Sequence, residues 1–338
     1  MSKPVALITG ANGEIGRALI KSLAEGGRYD VVTLDLVPLA EPLRPLVTAS
    51  YAGNIMDKYL LDELAAHHDA DVVFHLAALL STRGERDPEL AHQVNVEGTL
   101  HLLRMAQNQA MRLGRPVRFL FPSTIAVYGL PSVEDKRIAG KIREEQWNLP
   151  ITMYGCNKLY CEHLGRYFSR HYRRHQGASS AARVDFRALR FPGLISADTM
   201  PTGGTSDYGP EMLHAAAQGK PYACFVGPEA RIPFMAMPDA ITALLKLLEA
   251  DPQKLRATVY NIGAFSISAE EIAERARRAF PGASISYAPD AARASIVDSW
   301  PEDVDDGRAR RDFGWKSEYD VDRAFDEYLL PRIAGRRA

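Results

Sequence analysis

Short apolar, β-branched runs alternate with stretches of helical spacing through the first half of the chain. Val5–Thr9, Val31–Asp35, Val72–Leu76 and Phe119–Pro122 read as buried strands bounded by polar or turn residues. Between them, Ile15–Glu25, Asp57–His67 and Ala91–Leu113 repeat apolar positions every three or four residues and predict helices. Such alternation implies an α/β chain, with a Rossmann-like, doubly wound parallel sheet and helices on both faces. Asp185–Arg190 and Val259–Ile262 add strands. Residues 1–190 are expected to form the first domain. Residues 191–338 mainly build a small C-terminal lobe over the open edge of its sheet, with about 220–262 returning to the first part. No internal repeat is present. His175–Ala182 reads as a surface loop, and the charge-rich Glu134–Glu145 as another loop or irregular helix.

Composition narrows the classes. The 338 residues are 46% hydrophobic and 25% charged with a formal net charge of −1, which argues against nucleic acid or an anionic membrane as partner. The basic runs Arg170–His175 and Arg308–Arg311 read as solvated faces. Cys156, Cys161 and Cys224 are odd in number and lack metal-ligand spacing, so neither disulfides nor a metal is expected. With no signal-peptide layout at MSKPVALITG and no apolar run of membrane length, a reducing cytoplasm is the expected setting.

ITGANGEIG sets Gly10, Gly13 and Gly16 between a strand and a helix start. Glycines there let the backbone approach a pyrophosphate, whose charge is favoured at a helix N-terminus. The spacing is G-x-x-G-x-x-G rather than G-x-G-x-x-G. Asp35 ends the second strand, where a carboxylate can bind ribose hydroxyls and would repel a 2′-phosphate. NAD is therefore expected over NADP, with Arg17 the one feature pointing the other way.

Tyr154 and Lys158 in TMYGCNK stand at i and i+4, on one helix face. A nearby ammonium would lower a phenol pKa from about 10 and make it a usable base. Ser123 and Thr124 end the fourth strand, Ser81 follows the third, and the chain after Leu189–Gly193 runs into PTGGTSDYG. Ligands of open α/β sheets bind beyond such strand ends, so these groups point to an enzyme. In PTGGTSDYG, Asp207 either binds a ligand or caps a helix starting near Tyr208.

Gly10-x-x-Gly13-x-x-Gly16, Asp35, Asn95, Thr124 and Tyr154-x-x-x-Lys158 together resemble the extended short-chain dehydrogenase/reductases. The stretches HLAALLSTRGERDPELAHQVN, LRFPGLIS, GGTSDY, PFMAMPD and DSWPEDVDD…ARRDFGW are similar to the short-chain type of L-threonine 3-dehydrogenase. The resemblance implies NAD held by Gly10, Asn12, Gly13, Glu14, Ile15, Gly16, Asp35, Asn54, Ile55, Leu76, Ala77, Ala78, Asn95, Tyr154, Lys158, Phe191 and Pro192. It implies a substrate-binding C-terminal lobe, an amino-acid substrate met by Ser81, Ser123, Thr124, Tyr154, Gly193, Thr205, Asp207 and Trp300, and a homodimer through helices near Ala91–Leu113 and Tyr154–Tyr172. The implied chemistry is oxidation of the L-threonine 3-hydroxyl, with Tyr154 as base, Lys158 holding the nicotinamide ribose, and Thr124 with Ser123 binding the reacting oxygen. Three features depart from the resemblance: Asn54 replaces the usual Asp, Thr202 replaces a third glycine, and Leu113–Val117, Pro131–Trp147 and Gln176–Ala182 are long. The alternatives are a nucleotide-sugar epimerase or dehydratase, a dehydrogenase of another small hydroxy acid, and a non-catalytic dinucleotide sensor. RIPFMAMPD departs from the epimerase pattern at the corresponding stretch.

Overall fold

The computed structural model describes residues 3–172, 182–201 and 203–335. The end of the first basic run at 173–175, the expected loop at 175–182 apart from Ala182, and Thr202 lie outside these residues. Strands follow in chain order as β1 (Val5–Thr9), β2 (Asp30–Asp35), β3 (Ala49–Ala52), β4 (Ala70–His75), β5 (Val117–Thr124), β6 (Lys141–Ile142) and β7 (Val184–Phe191). They continue as β8 (Gly193–Ile195), β9 (Tyr222–Cys224), β10 (Arg231–Ala236), β11 (Val259–Asn261), β12 (Phe265–Ser268), β13 (Ile285–Tyr287) and β14 (Asp303–Val304). The central sheet has the order β11-β7-β5-β4-β1-β2-β3. β1 pairs in parallel with β2 and β4, β2 with β3, and β4 with β5. The expected Rossmann-like, doubly wound α/β fold is therefore present. Its strand order reverses between β1 and β4, where such sheets bind ligands beyond their carboxyl ends.

Strand β3 was not visible in the hydrophobic pattern. As the sheet's edge strand it alternates half-buried and exposed residues, so it carries no apolar run. The stretch expected as one helix over Ala91–Leu113 is instead Pro88–His92, a π-helical turn Gln93–Glu97 and Gly98–Leu113. Thr99 Oγ1 donates to the Asn95 carbonyl at 2.5 Å and Cys161 Sγ to the same oxygen at 3.3 Å within this irregular turn. Glu134–Glu145 is more ordered than expected. Ser132 accepts a hydrogen bond from Asp135 N to cap the helix Val133–Ala139, and β6 follows. The Arg308–Arg311 run is not simply solvated: Arg308 pairs with Glu145 and Arg310 with Asp306, each at 2.6 Å.

The chain divides into two compact units, each assembled from separated stretches. The first holds Met1–Ser123, Cys156–Leu189 and Leu244–Val259; the second holds Thr124–Gly155, Arg190–Ala243 and Tyr260–Ala338. The first unit's core includes Leu7, Val32, Val73, Leu103, Phe119 and Phe186, with the Phe119 and Phe186 rings stacked at 5.9 Å. In the second unit β10 pairs antiparallel with β12 and parallel with β8. A reciprocal cap between Ser268 and Glu271 starts the helix Ala269–Ala279, which packs on Tyr208–Ala217. Two of the resembling stretches prove to be structural here. Asp239 accepts from the Glu318 and Tyr319 amides, and Trp315, fully buried, donates to Gly263 O. Among the described residues, no helix is long and apolar enough to cross a membrane.

Arg187 lies within the first unit, 1% exposed, and ties β7 to the end of the helix Met237–Glu249. Its guanidinium donates to the Asp185 carboxylate and to the carbonyls of Leu247, Leu248 and Ala250. An Arg187→Met variant leaves these acceptors unpaired and is expected to lose about 3 kcal/mol of stability in denaturant melts. An unchanged midpoint would refute that role.

Candidate active site

The glycine loop leaves β1 and enters the helix Glu14–Gly26. Gly10 has φ +69°, and a Cβ there would lie 2.6 Å from Ala77 N; a Cβ on Gly16 would lie 2.5 Å from Gly10 O. Both positions therefore require glycine, one for its dihedral and both for close backbone approach. Gly13 occupies the N-cap, and no side chain caps this helix start, which leaves its amide end suited to a phosphate. Asp35, half-buried at the end of β2, accepts from Asn12 N at 2.8 Å and Val37 N at 3.3 Å. Asn12 binds the 37–40 turn through Val37 O, Pro38 O and Ala40 N. Arg17, the feature that pointed toward NADP, donates to Asn12 O at 2.7 Å. Asn54 is exposed and uses its Oδ1 to accept from Met56 N, while the adjoining Ile55 is buried.

Leu76–Ala78 follow β4 across the switch point. Leu76 N donates to Thr9 O and Ala77 N to Thr9 Oγ1. His75 bridges Thr9 Oγ1 and Thr99 Oγ1 at 2.9 Å on either side. Burial, then the Lys158 charge, pushes His75 down to about 3, so it is neutral. Asn95 clamps the Leu79 backbone with both ends of its amide and extends its Nδ2 to Asn157 Oδ1 at 3.4 Å. Ser81, buried, begins the short helix Ser81–Arg86.

Lys158 is buried in the first unit. Its Nζ donates to Pro122 O at 2.7 Å and sits 4.4 Å from the Phe121 ring centre. Burial pushes the ammonium down to about 8, with Cys161 and Glu162 opposing the shift. Ser123, expected to bind substrate, donates its hydroxyl to Glu162 Oε1. The sequence reading missed Glu162. Its signal was the continued spacing Tyr154-x-x-x-Lys158-x-x-x-Glu162, which sets a third polar group on the same helix face.

In the second unit, Thr124 Oγ1 accepts from Ala126 N at 3.1 Å and hydrogen-bonds Tyr154. Thr152 Oγ1 accepts from Gly155 N as the helix Met153–Arg170 begins. A Cβ on Gly155 would lie 2.1 Å from Ala126 O, so glycine lets the helix start against the turn after β5. The phenol of Tyr154 does not show the expected lowering. Burial raises its pKa, and the hydrogen bond with Thr124 only partly opposes it.

The loop PTGGTSDYG also lies in the second unit. Asp207 stands at the N-cap of the helix Tyr208–Ala217, but its side chain makes no cap bond. Its Oδ2 instead turns back to the amides of Gly203 and Gly204, at 2.9 and 2.6 Å. Gly203 has φ +93°, and a Cβ on Gly204 would lie 2.9 Å from Asp207 Oδ1. These glycines therefore serve the loop's own turn. Thr205 is buried. Phe191 and Pro192 join β7 to β8, where a Cβ on Gly193 would lie 2.7 Å from Phe234. Trp300 ends the helix Ala291–Ser299, and its buried Nε1 has no hydrogen-bond partner among the described residues.

Residues 6–263 match the family described as "NAD dependent epimerase/dehydratase family". The chain belongs to that family. Within it, the chain is 34% identical over 317 residues to the mitochondrial L-threonine 3-dehydrogenase of Bos taurus, covering 93% of this chain and 79% of the bovine one. A solved partial consensus L-threonine 3-dehydrogenase superposes with a TM-score of 0.86 at 35% identity, covering 98% of this chain and 100% of its own. The holo form of the GalE-like L-threonine dehydrogenase from Cupriavidus necator superposes at 0.84 with 35% identity, covering 99% and 100%. This member of the epimerase/dehydratase family is an NAD-dependent dehydrogenase. Its first unit fits the cofactor, with crowded glycines and an uncapped helix start suited to a pyrophosphate and Asp35 beside them at the end of β2.

Gly16→Ala tests that fit, since the added methyl drives into Gly10 O and Ala11 O. NAD affinity measured by calorimetry is expected to fall at least about tenfold while the fold persists. Unchanged affinity would mean the loop does not hold the pyrophosphate.

Proposed function

We propose that the chain oxidises the 3-hydroxyl of L-threonine to 2-amino-3-oxobutyrate. The carrying observation is the hydrogen-bonded pair Thr124–Tyr154 at the start of a helix that bears Lys158 four residues later, in a chain similar to L-threonine 3-dehydrogenases. NAD, when bound, supplies the hydride acceptor. Tyr154 takes the proton from the 3-hydroxyl, and the Thr124 hydroxyl hydrogen-bonds the reacting oxygen. Lys158 holds the nicotinamide ribose.

An amino acid brings an ammonium and a carboxylate. Asp207 suits the ammonium, because both of its described backbone bonds use Oδ2 and leave Oδ1 to the ligand. The hydroxyls of Ser81 and Thr205 suit the carboxylate, Gly193 belongs to the same substrate-binding set, and Trp300 forms an apolar wall with an indole N–H to donate. In this reading residues 191–338 are mainly the substrate lobe. The assembly is a homodimer, supported by Met111, Tyr160 and Tyr167 exposed on the helices Gly98–Leu113 and Met153–Arg170. Free cysteines support a reducing compartment, with the cytoplasm as the proposed site.

NADH formation is measured with L-threonine, D-threonine, L-allo-threonine, L-serine and 3-hydroxybutyrate in parallel, and conversion of a UDP-hexose is followed by product analysis. L-Threonine is expected to be the preferred substrate. Turnover of the sugar nucleotide alone, or of a hydroxy acid without an amino group, would overturn the assignment. Tyr154→Phe is expected to lower kcat roughly 10²–10⁴-fold. An unchanged kcat would remove Tyr154 as the base.

A further inference from the structure

Glu162 follows Lys158 by one helical turn, so both project from one face of the helix Met153–Arg170. They are 3% and 4% exposed, respectively, and a carboxylate that deep in a protein is costly unless paired. The last two β5 residues of the first unit hold this pair from below. Pro122 O accepts from Lys158 Nζ at 2.7 Å, and Ser123 Oγ donates to Glu162 Oε1 at 2.5 Å. The strand thus offers a carbonyl to the cation and a hydroxyl to the anion.

We propose that Glu162 is a positioning residue: fixed by Ser123, it supplies the negative charge that keeps Lys158 an aligned ammonium for the cofactor, and Ser123 acts through Glu162 rather than on the substrate. The inference rests on the reading of Lys158 as a cofactor-binding residue.

The surroundings of Lys158 single out Glu162. Cys161 and Glu162 face it from its own helix, which also carries Tyr154 a turn earlier, and His75 faces it from β4. The Phe121 ring and Pro122 carbonyl come from β5. Burial pushes Lys158 down to about 8, opposed by Cys161 and then Glu162. Burial also pushes the Cys161 thiol up to about 11, so it is uncharged where Lys158 titrates. His75, pushed down to about 3, is uncharged there as well. Of these three neighbours, Glu162 is the one with a carboxyl group, and Ser123 donates to it. Removing it makes the ammonium harder to keep, so Lys158 would lose its proton at lower pH.

Glu162→Gln keeps an acceptor for Ser123 and removes the charge. NAD affinity by calorimetry, and kcat/KM, are measured from pH 6 to 9. Wild-type affinity is expected to fall above about pH 8, as Lys158 loses its proton. In Glu162→Gln the fall is expected about one unit lower, giving near-normal affinity at pH 6 and roughly tenfold weaker binding near pH 8. Glu162→Asp, which retains the charge, is expected to keep the wild-type midpoint. Ser123→Ala is expected to shift the midpoint in the same direction by less, with the KM for L-threonine at pH 6 unchanged. If the Gln variant does not fold, the Asp and Ser123→Ala variants carry the test. A pH-independent loss in Glu162→Gln, or a Ser123→Ala variant with a raised L-threonine KM and an unmoved midpoint, would overturn the proposal. Lys158→Met separates the two failures. Unchanged NAD affinity at pH 7 in that variant removes the reading of Lys158 itself; lost affinity beside an unmoved Glu162→Gln midpoint removes only the inference.

Discussion

Burying the Lys158 ammonium would cost several kcal/mol without compensating partners, and much of the first unit is arranged around that cost. A backbone carbonyl at Pro122, the face of Phe121 and the carboxylate of Glu162 all lie on its side of the structure. His75, whose charged form would compete with it, is kept neutral by burial between two threonines. These partners take the place of the water that the ammonium gives up on burial.

The same requirement reaches the backbone. The helix bearing Lys158 lies close to the run Pro88–Leu113, where Cys161 and Thr99 both donate to the Asn95 carbonyl. A π-helical turn includes Asn95, whose side chain binds the Leu79 backbone beyond β4. One irregular turn thus links the lysine helix to the loop that borders the nucleotide end. In the second unit the corresponding constraint is steric. The helix begins so close to the Ala126 carbonyl that residue 155 has no room for a side chain, and Tyr154 is left hydrogen-bonded to Thr124.

The loop that ends in Asp207 follows a different rule. Its acidic residue already works for the fold, drawing in two glycine amides with one carboxylate oxygen. These bonds hold the turn from within the loop itself.

Periodicity and glycine spacing were enough to determine the α/β alternation, the places of the long strands along the chain, the glycine loop and Asp35. Each of those signals is local, made by residues within one turn or one strand of each other. The edge strand β3, the π-helical turn and the helix within 133–139 were not legible. Their stability comes from neighbours distant in sequence or from single hydroxyl and thiol bonds with no periodic signature. The same division holds at the site. Residue types and positions marked Tyr154, Lys158 and Thr124 as candidates, because chemistry limits which side chains can move a proton or hold a charge. The engagement of Ser123 with Glu162 and the raised Tyr154 phenol were decided by tertiary structure alone. Burial and the choice among competing hydrogen-bond partners are set by which segments the fold brings together, and sequence spacing does not encode them.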